Sequence, residues 1–325
     1  MPRKTKGQHF LLSAKARSLS VKQVMRMTDE EARTAFRRVR WASTDGEPVC
    51  PKCGCLGCNE YACRPIWKCK GCGHQFSVTS GTIFAGRKLE VRDLLAAIAI
   101  FVNAAKGISA LQLGRDLGVQ YKTAFVLAHK LREAMAAEMR NVVLDGTVEV
   151  DGCYVGGNVR PENLKADRKD RRLADNQNGK RKCVVVMRER GGRTLPFALM
   201  SEAEGAPIIA KRVAKGSVVH ADEAGSWDEL HARFDMKRIN HQVGYSMDGA
   251  CTNQAESYFS RLRRAEWGQH HHIGGLYLGR YAAEMAWRED HRRVANGGLV
   301  NRLTGLALAA SVSVDWCGYW QRKAA

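Results

Sequence analysis

The chain has 325 residues, 45% of them apolar. That is enough for two or three domains with a sizeable core, and too apolar for global disorder. Lys and Arg number 52 against 33 Asp and Glu, a formal charge of +19. The excess is shared: residues 1–150 carry 24 basic and 13 acidic side chains (+11), residues 151–325 carry 28 and 20 (+8). A polyanionic partner, nucleic acid above all, is the expectation. No apolar run reaches the ~20 residues of a membrane span, and Met1-Pro-Arg-Lys-Thr-Lys lacks a following signal-peptide core, which argues against secretion.

Residues 1–46 form a basic N-terminal region, expected to be helical from Ser20 to Trp41, with Thr28-Asp-Glu-Glu31 as a helix start. Residues 47–84 hold seven of the eleven cysteines, between Cys50 and Cys72. Cys50-Pro-Lys-Cys53-Gly and Cys69-Lys-Gly-Cys72-Gly are two CxxC pairs with 15 residues between them. Two tight turns of this kind offer four thiolates to one tetrahedral Zn²⁺. The pattern predicts a zinc ribbon with a closed, structural metal, and Trp67 and Phe76 as its small core. Cys55-x-x-Cys58 is a third pair that could replace Cys50/Cys53, and Cys63 is a further thiol. The Cys-Pro-x-Cys-Gly turn mirrors the later one, which favours Cys50 and Cys53.

Residues 85–142 read as helices. Gly107 to Arg132 has the shape of a helix-turn-helix: Ser109 caps a first helix, Gly118 allows the turn, and Gln120 to Arg132 forms a second. Ala124, Leu127 and Leu131 face inward. Gln120, Lys122, Thr123 and Lys130 are the side chains expected to reach bases and phosphates. An ordinary helical hairpin is the bland alternative.

Residues 145–298 mix short apolar runs with helical ones, an α/β pattern. Val148-Glu-Val-Asp151-Gly-Cys-Tyr-Val155 is a strand with Asp151 at its centre, and Ser217 to Asp222 is a second strand ending on an acid. Thr252-Asn253-Gln-Ala-Glu256 opens a helix on which Asn253, Glu256 and Arg263 share a face. Lys182 to Met200, with Gly191-Gly192 inside, is a hairpin. Oxygen ligands from two strands and a helix suit Mg²⁺, and two ions ~3.5–4 Å apart serve in-line phosphoryl displacement. Hairpin, acidic strands and acidic helix together predict a ribonuclease-H-like sheet. Asn158 to Lys182 reads as a long charged loop, and His270-His271-His272 as phosphate contacts or packing. Trp287, Arg288, Arg292 and Arg293 read as a basic helix face against DNA, and residues 299–325 as a C-terminal tail to which the sequence assigns no role.

These features resemble the DDE transposases of bacterial insertion sequences, in the group related to eukaryotic Merlin elements and carrying an N-terminal transposase zinc ribbon. The resemblance rests on Cys50-Pro-Lys-Cys53, Trp67 through Cys72 to Phe84, Val150-Asp151-Gly-Cys-Tyr-Val-Gly-Gly157, Asp222-Glu, Thr252-Asn253-x-x-Glu256 and Gly268-x-His-His-His272. It implies cleavage of double-stranded element ends and strand transfer into target DNA with Mg²⁺ (Mn²⁺ as a substitute). Asp151 and Asp222 would be the first two metal ligands. Either Asn253 or Glu256 would be the third, Glu256 being favoured because a carboxylate holds Mg²⁺ better than an amide. Arg263 falls where the family has a basic residue, often Lys. The resemblance further implies a homodimer or higher oligomer on DNA, no membrane partner, and a bacterial cytoplasmic, nucleoid-associated protein. The competing class is a zinc-ribbon, helix-turn-helix transcriptional regulator without catalysis, which leaves the acidic half unused.

Overall fold

The computed structural model describes residues 9–157, 161–170, 173, 176, 178–240, 244, 246 and 249–317. They fall into two compact units, one of residues 1–138 with 291–325, the other of residues 139–290.

The first unit opens with α1 (Val21–Arg26) and α2 (Asp29–Arg40). The single helix expected from Ser20 to Trp41 is broken at Met27, because Thr28 starts a new one. Its hydroxyl accepts from the Glu31 amide at 3.2 Å, while the Glu31 carboxylate accepts from the Thr28 amide at 2.7 Å. The three-stranded ribbon follows: β1 (Cys58–Glu60), β2 (Trp67–Cys69) and β3 (Gln75–Phe76), antiparallel in that order. Three strands this short bury little, and their core is aromatic: Trp67 and Phe76 as expected, with Trp41 edge-on to Trp67 at 5.4 Å between centroids. Helix α3 (Val91–Asn103) is buried nearly all round, the signature of a central helix. The helix-turn-helix is present as α4 (Ala110–Leu117) and α5 (Tyr121–Ala137). Ser109 caps α4, its hydroxyl accepting from the Gln112 amide at 3.1 Å, and Gly118 turns the chain at φ 65°. Ala124, Leu127 and Leu131 are buried, as their spacing predicts.

The second unit is built on a five-stranded sheet of β4 (Thr147–Val155), β5 (Lys182–Glu189), β6 (Thr194–Leu199), β7 (Val218–Asp222) and β8 (Asp235–Ile239). The spatial order is β6-β5-β4-β7-β8. The β4-β5-β6 ladder is antiparallel, while β7 and β8 run parallel to β4. This is the ribonuclease-H-like sheet that the sequence predicts. Cys183 to Met187 are buried without alternation, as in a strand covered on both faces. Between β6 and β7 comes the short α6 (Ala206–Arg212). α7 (Asn253–Ala265) packs on β4 and β5, and α8 (Leu278–Asp290) packs on β6. A π-helical turn, Glu266–His270, extends α7.

One expectation is corrected here. Trp287 and Arg288 do not form a DNA-facing surface: both are buried, and Arg288 pairs with Glu284 at 2.9 Å. Neighbouring α8 acids hold further arginines, Asp290 with Arg188 at 2.7 Å and Glu289 with Arg261 at 2.7 Å. A charge buried on a helix is tolerated only when paired in this way. Residues 299–309 belong to α9 (Asn296–Ala309), which packs on α2, α3 and α5 of the first unit. The compact unit that carries the five-stranded sheet runs from residue 139 to 290. The charged stretch expected from Asn158 to Lys182 lies partly outside the described residues; residues 161–170 of it are exposed.

Candidate active site and metal centre

Asp151 and Asp222 are carried by neighbouring parallel strands, β4 and β7. Asp222 is the last residue of β7. Its Oδ1 accepts from the Trp227 indole at 2.7 Å and from the Ala224 amide at 3.2 Å, which fixes the carboxylate plane. Asp151 Oδ1 accepts from the Gly152 amide at 2.7 Å. Burial pushes the Asp151 carboxyl up to about 7. Asp222, Glu202 and Glu256 add like-charge repulsion, and the Gly152 amide acts the other way. Asp222 and Glu256, the other two expected acids, thus each lie within electrostatic range of Asp151.

They do not converge tightly. Among the described residues, only the ribbon cysteines form a group of three or more His, Cys, Asp or Glu with all ligand atoms within 4.8 Å of one another. A pair of divalent ions bridges carboxylates over a wider span than one ion does. Asn253 is exposed at the first position of α7, one turn before half-buried Glu256. Arg263, also exposed, directs Nη2 to the Cys153 Sγ at 3.1 Å, two residues beyond Asp151 on β4.

Glu202 is a fourth carboxylate that the sequence reading misses. A Cβ at Gly152 would lie 2.4 Å from its Oε1, so the missing side chain at Gly152 is what admits it. A glycine in mid-strand is the one sequence signal of such an approach. The donor set of Asp151, Asp222, Glu256 and Glu202 is all oxygen, mutually repelling and half-buried, which fits hard divalent cations.

A second group missed by sequence reasoning stands behind the first. Glu149 is fully buried, two residues before Asp151. Its Oε2 accepts from the amides of Gln254 (2.7 Å) and Ala255 (3.2 Å) at the start of α7, and its Oε1 from Arg190 Nε (2.7 Å). Arg190 Nη2 also donates to the Cys251 carbonyl at 3.1 Å and lies 3.2 Å from His220 Nδ1. A carboxylate at a helix N-terminus satisfies unpaired amides and complements the dipole. His220 is therefore a buried partner of this network.

In the ribbon, Cys50, Cys53, Cys69 and Cys72 are drawn together, with sulfur–sulfur distances of 3.7 Å (Cys50–Cys72) and 3.5 Å (Cys53–Cys69). The two knuckles are alike: the Gly54 amide donates to the Cys50 carbonyl at 2.9 Å, and the Gly73 amide to the Cys69 carbonyl at 3.0 Å. The amide of Cys72, with that of Gly71, brings the Cys69 thiol down to about 6, toward the thiolate that a metal needs. Cys55, Cys58 and exposed Cys63 stay outside the four. In the helix-turn-helix, Gln120, Lys122 and Thr123 are exposed at the start of α5. Lys130 is not with them: it is half-buried, and burial lowers its ammonium pKa. Exposed Tyr121 joins the trio instead. Of the three histidines, His270 packs edge-on against Tyr281 at 4.7 Å, and His271 and His272 are exposed.

Residues 143–290 match the ISXO2-like transposase domain, and residues 27–75 the transposase zinc-ribbon domain, which takes in α2 as well as the strands. The resemblance to insertion-sequence DDE transposases is borne out for both segments. The chain is also 23% identical over 251 residues to an uncharacterized protein in transposable element ISH50 of Halobacterium salinarum, covering 73% of this chain and 83% of that one. Among solved structures it is similar to the Mos1 strand transfer complex (11% identity, TM-score 0.18) and to the Mos1 mariner paired end complex with Mn (12%, 0.18). Each likeness covers 62% of this chain and 78% of the other, and is too slight to bear on the fold. Among the described residues no helix is long and apolar enough to cross a membrane.

Proposed function

We propose that the protein is a transposase that binds the ends of an insertion sequence, cleaves them with the help of Mg²⁺ and joins the freed strand to target DNA. The observation that carries this reading is the gathering of Asp222, Glu256 and Glu202 around Asp151 inside a transposase domain. Asp151, Asp222 and Glu256 would hold two divalent cations, with Glu202 beside them. The cations would supply charge neutralisation at the phosphorus and at the attacking and leaving oxygens. Trp227 and the Ala224 amide keep Asp222 in one orientation. Arg263, beside Cys153, offers a fixed positive charge to a phosphate entering along β4. Water attacks the phosphodiester at the element end, the bond to the leaving 3′-oxygen breaks, and a 3′-hydroxyl is released. That hydroxyl then attacks a target phosphodiester in the same pocket, forming the new phosphodiester as the target's own phosphorus–3′-oxygen bond breaks and a target 3′-hydroxyl leaves.

Cys50, Cys53, Cys69 and Cys72 would hold a structural Zn²⁺, stiffening the ribbon so that Lys52, Lys68 and Lys70 face DNA. Gln120, Lys122 and Thr123 would enter the major groove, with Lys130 at the margin. Two ends require two active sites, so a homodimer or higher oligomer on DNA is expected, acting on the nucleoid in the bacterial cytoplasm. The test is cleavage of a duplex carrying the element's own end by the full chain in Mg²⁺. Asp151→Ala and Asp222→Ala should abolish cutting and joining while end binding survives; normal cutting by either variant would overturn the assignment.

A further inference from the structure

A groove of about 580 Å³ lies in the second unit at the far end of β4. One wall is Val155 to Gly157, the second is the approach to β5 with Lys180 and Lys182, and the third runs from His272 to Leu278. Among the described residues no carboxylate lines it, although Asp151 belongs to the same strand. Neither lysine is ion-paired among the described residues; the Lys182 ammonium rests against the Met200 thioether, a weak acceptor. The Lys182 stem crosses Gly275, where a Cβ would stand 3.3 Å from its Cγ. At Gly157 a Cβ would lie 2.8–2.9 Å from Arg181 Cβ, Cα and N, so only glycine lets the end of β4 close on this wall. Apolar Val155, Ile273 and Leu276 stand beside the cations, and Leu276 is 87% exposed.

Resting on the function proposed above, we infer that this groove holds an unpaired stretch of the DNA strand next to the reacting phosphodiester. Lys180, Lys182 and His272 would lie along its phosphates, with Leu276 against a sugar or base. The position supports it: Asp151, Cys153 and Val155 share one face of β4, and four residues of strand span ~13 Å. That is roughly four steps of DNA at ~3.4 Å per nucleotide along a duplex axis, and fewer when the strand is extended. The chemistry supports it as well. A duplex keeps its bases inside and presents phosphate alone, whereas cations beside an exposed apolar side chain, Leu276, match a splayed nucleotide.

The test is fluorescence anisotropy of full-length protein with fluorescein-labelled dT12 and with a 30-base-pair duplex, across a salt series. Wild type is expected to bind both. In Lys180→Ala/Lys182→Ala, dT12 affinity should fall about tenfold and the slope of log K against log salt should flatten by about 1.4, two contacts at ~0.7 each. Duplex affinity should change by less than about twofold. Leu276→Ala should weaken dT12 a few-fold with the slope unchanged, as loss of an apolar contact does. Lys215→Ala, exposed in the loop before β7, should do nothing. Thermal unfolding at the wild-type temperature shows that a variant is folded, and the Leu276→Ala result stands should the lysine pair misfold. A double variant with unchanged dT12 affinity and slope overturns the inference, as does equal loss for dT12 and duplex. Wild type that binds and cuts duplex but ignores dT12 sinks the groove alone; wild type that binds neither sinks the transposase reading beneath it.

Discussion

Glu149 and His220 are register partners in the parallel pair of β4 and β7, each two residues ahead of a carboxylate of the site. Both side chains meet Arg190, and Glu149 also holds the first amides of α7, the helix that carries Glu256. One buried carboxylate thus sets the relative placement of all three elements of the site. Glu149→Ala would leave Arg190 without its carboxylate and two helix amides uncapped. We expect a loss of about 3 kcal/mol in urea unfolding, and a rise in the Mg²⁺ concentration that gives half-maximal cleavage. Glu149→Gln, which keeps an acceptor for α7, should lose less on both counts. Equal stability of wild type and Glu149→Ala would show that the helix is positioned by packing alone.

The third metal ligand can be settled by two substitutions on α7. Glu256→Gln should slow end cleavage about a thousandfold, ~4 kcal/mol of barrier. Asn253→Ala should stay within about tenfold of wild type. The reverse ranking would transfer the role to Asn253.

Trp227→Phe keeps a buried ring but removes the indole donor to Asp222. A hydrogen bond to a charged group contributes about 1.5–3 kcal/mol. Cleavage at limiting Mg²⁺ should fall by roughly tenfold or more and recover in part at saturating metal. A loss that excess metal does not touch would mean that Trp227 acts through folding only.

The full chain should contain one zinc by elemental analysis. Cys69→Ser should remove it and lower end binding, whereas Cys55→Ser and Cys63→Ser should keep it, because neither sulfur belongs to the four gathered together. Zinc retained in Cys69→Ser would reassign the ligand set.

Much of this was legible in the residues because the signals are local. The two CxxC knuckles, the Ser109 cap, the turn at Gly118 and the strands carrying Asp151 and Asp222 each depend on a few neighbours in sequence. Glu202 and Glu149 were not legible. Glu202 reaches the site only because Gly152 is bare, and Glu149 caps a helix about a hundred residues later. Arg288 misled for a different reason: its pairing with Glu284, four residues earlier on the same helix, follows from local spacing, and only the fold shows that this face is interior.

Helix α9 gives the first unit two widely separated stretches of sequence, with the whole catalytic body translated between them. On the ribosome, the unit that carries the ribbon must wait unfinished until α9 has been made. On the function proposed above, a copy of the gene cut short before Asn296 would not leave behind a compact end-binding fragment to compete with the intact protein. Decay from the 3′ side would therefore silence such a copy outright rather than turn it into an inhibitor of its siblings.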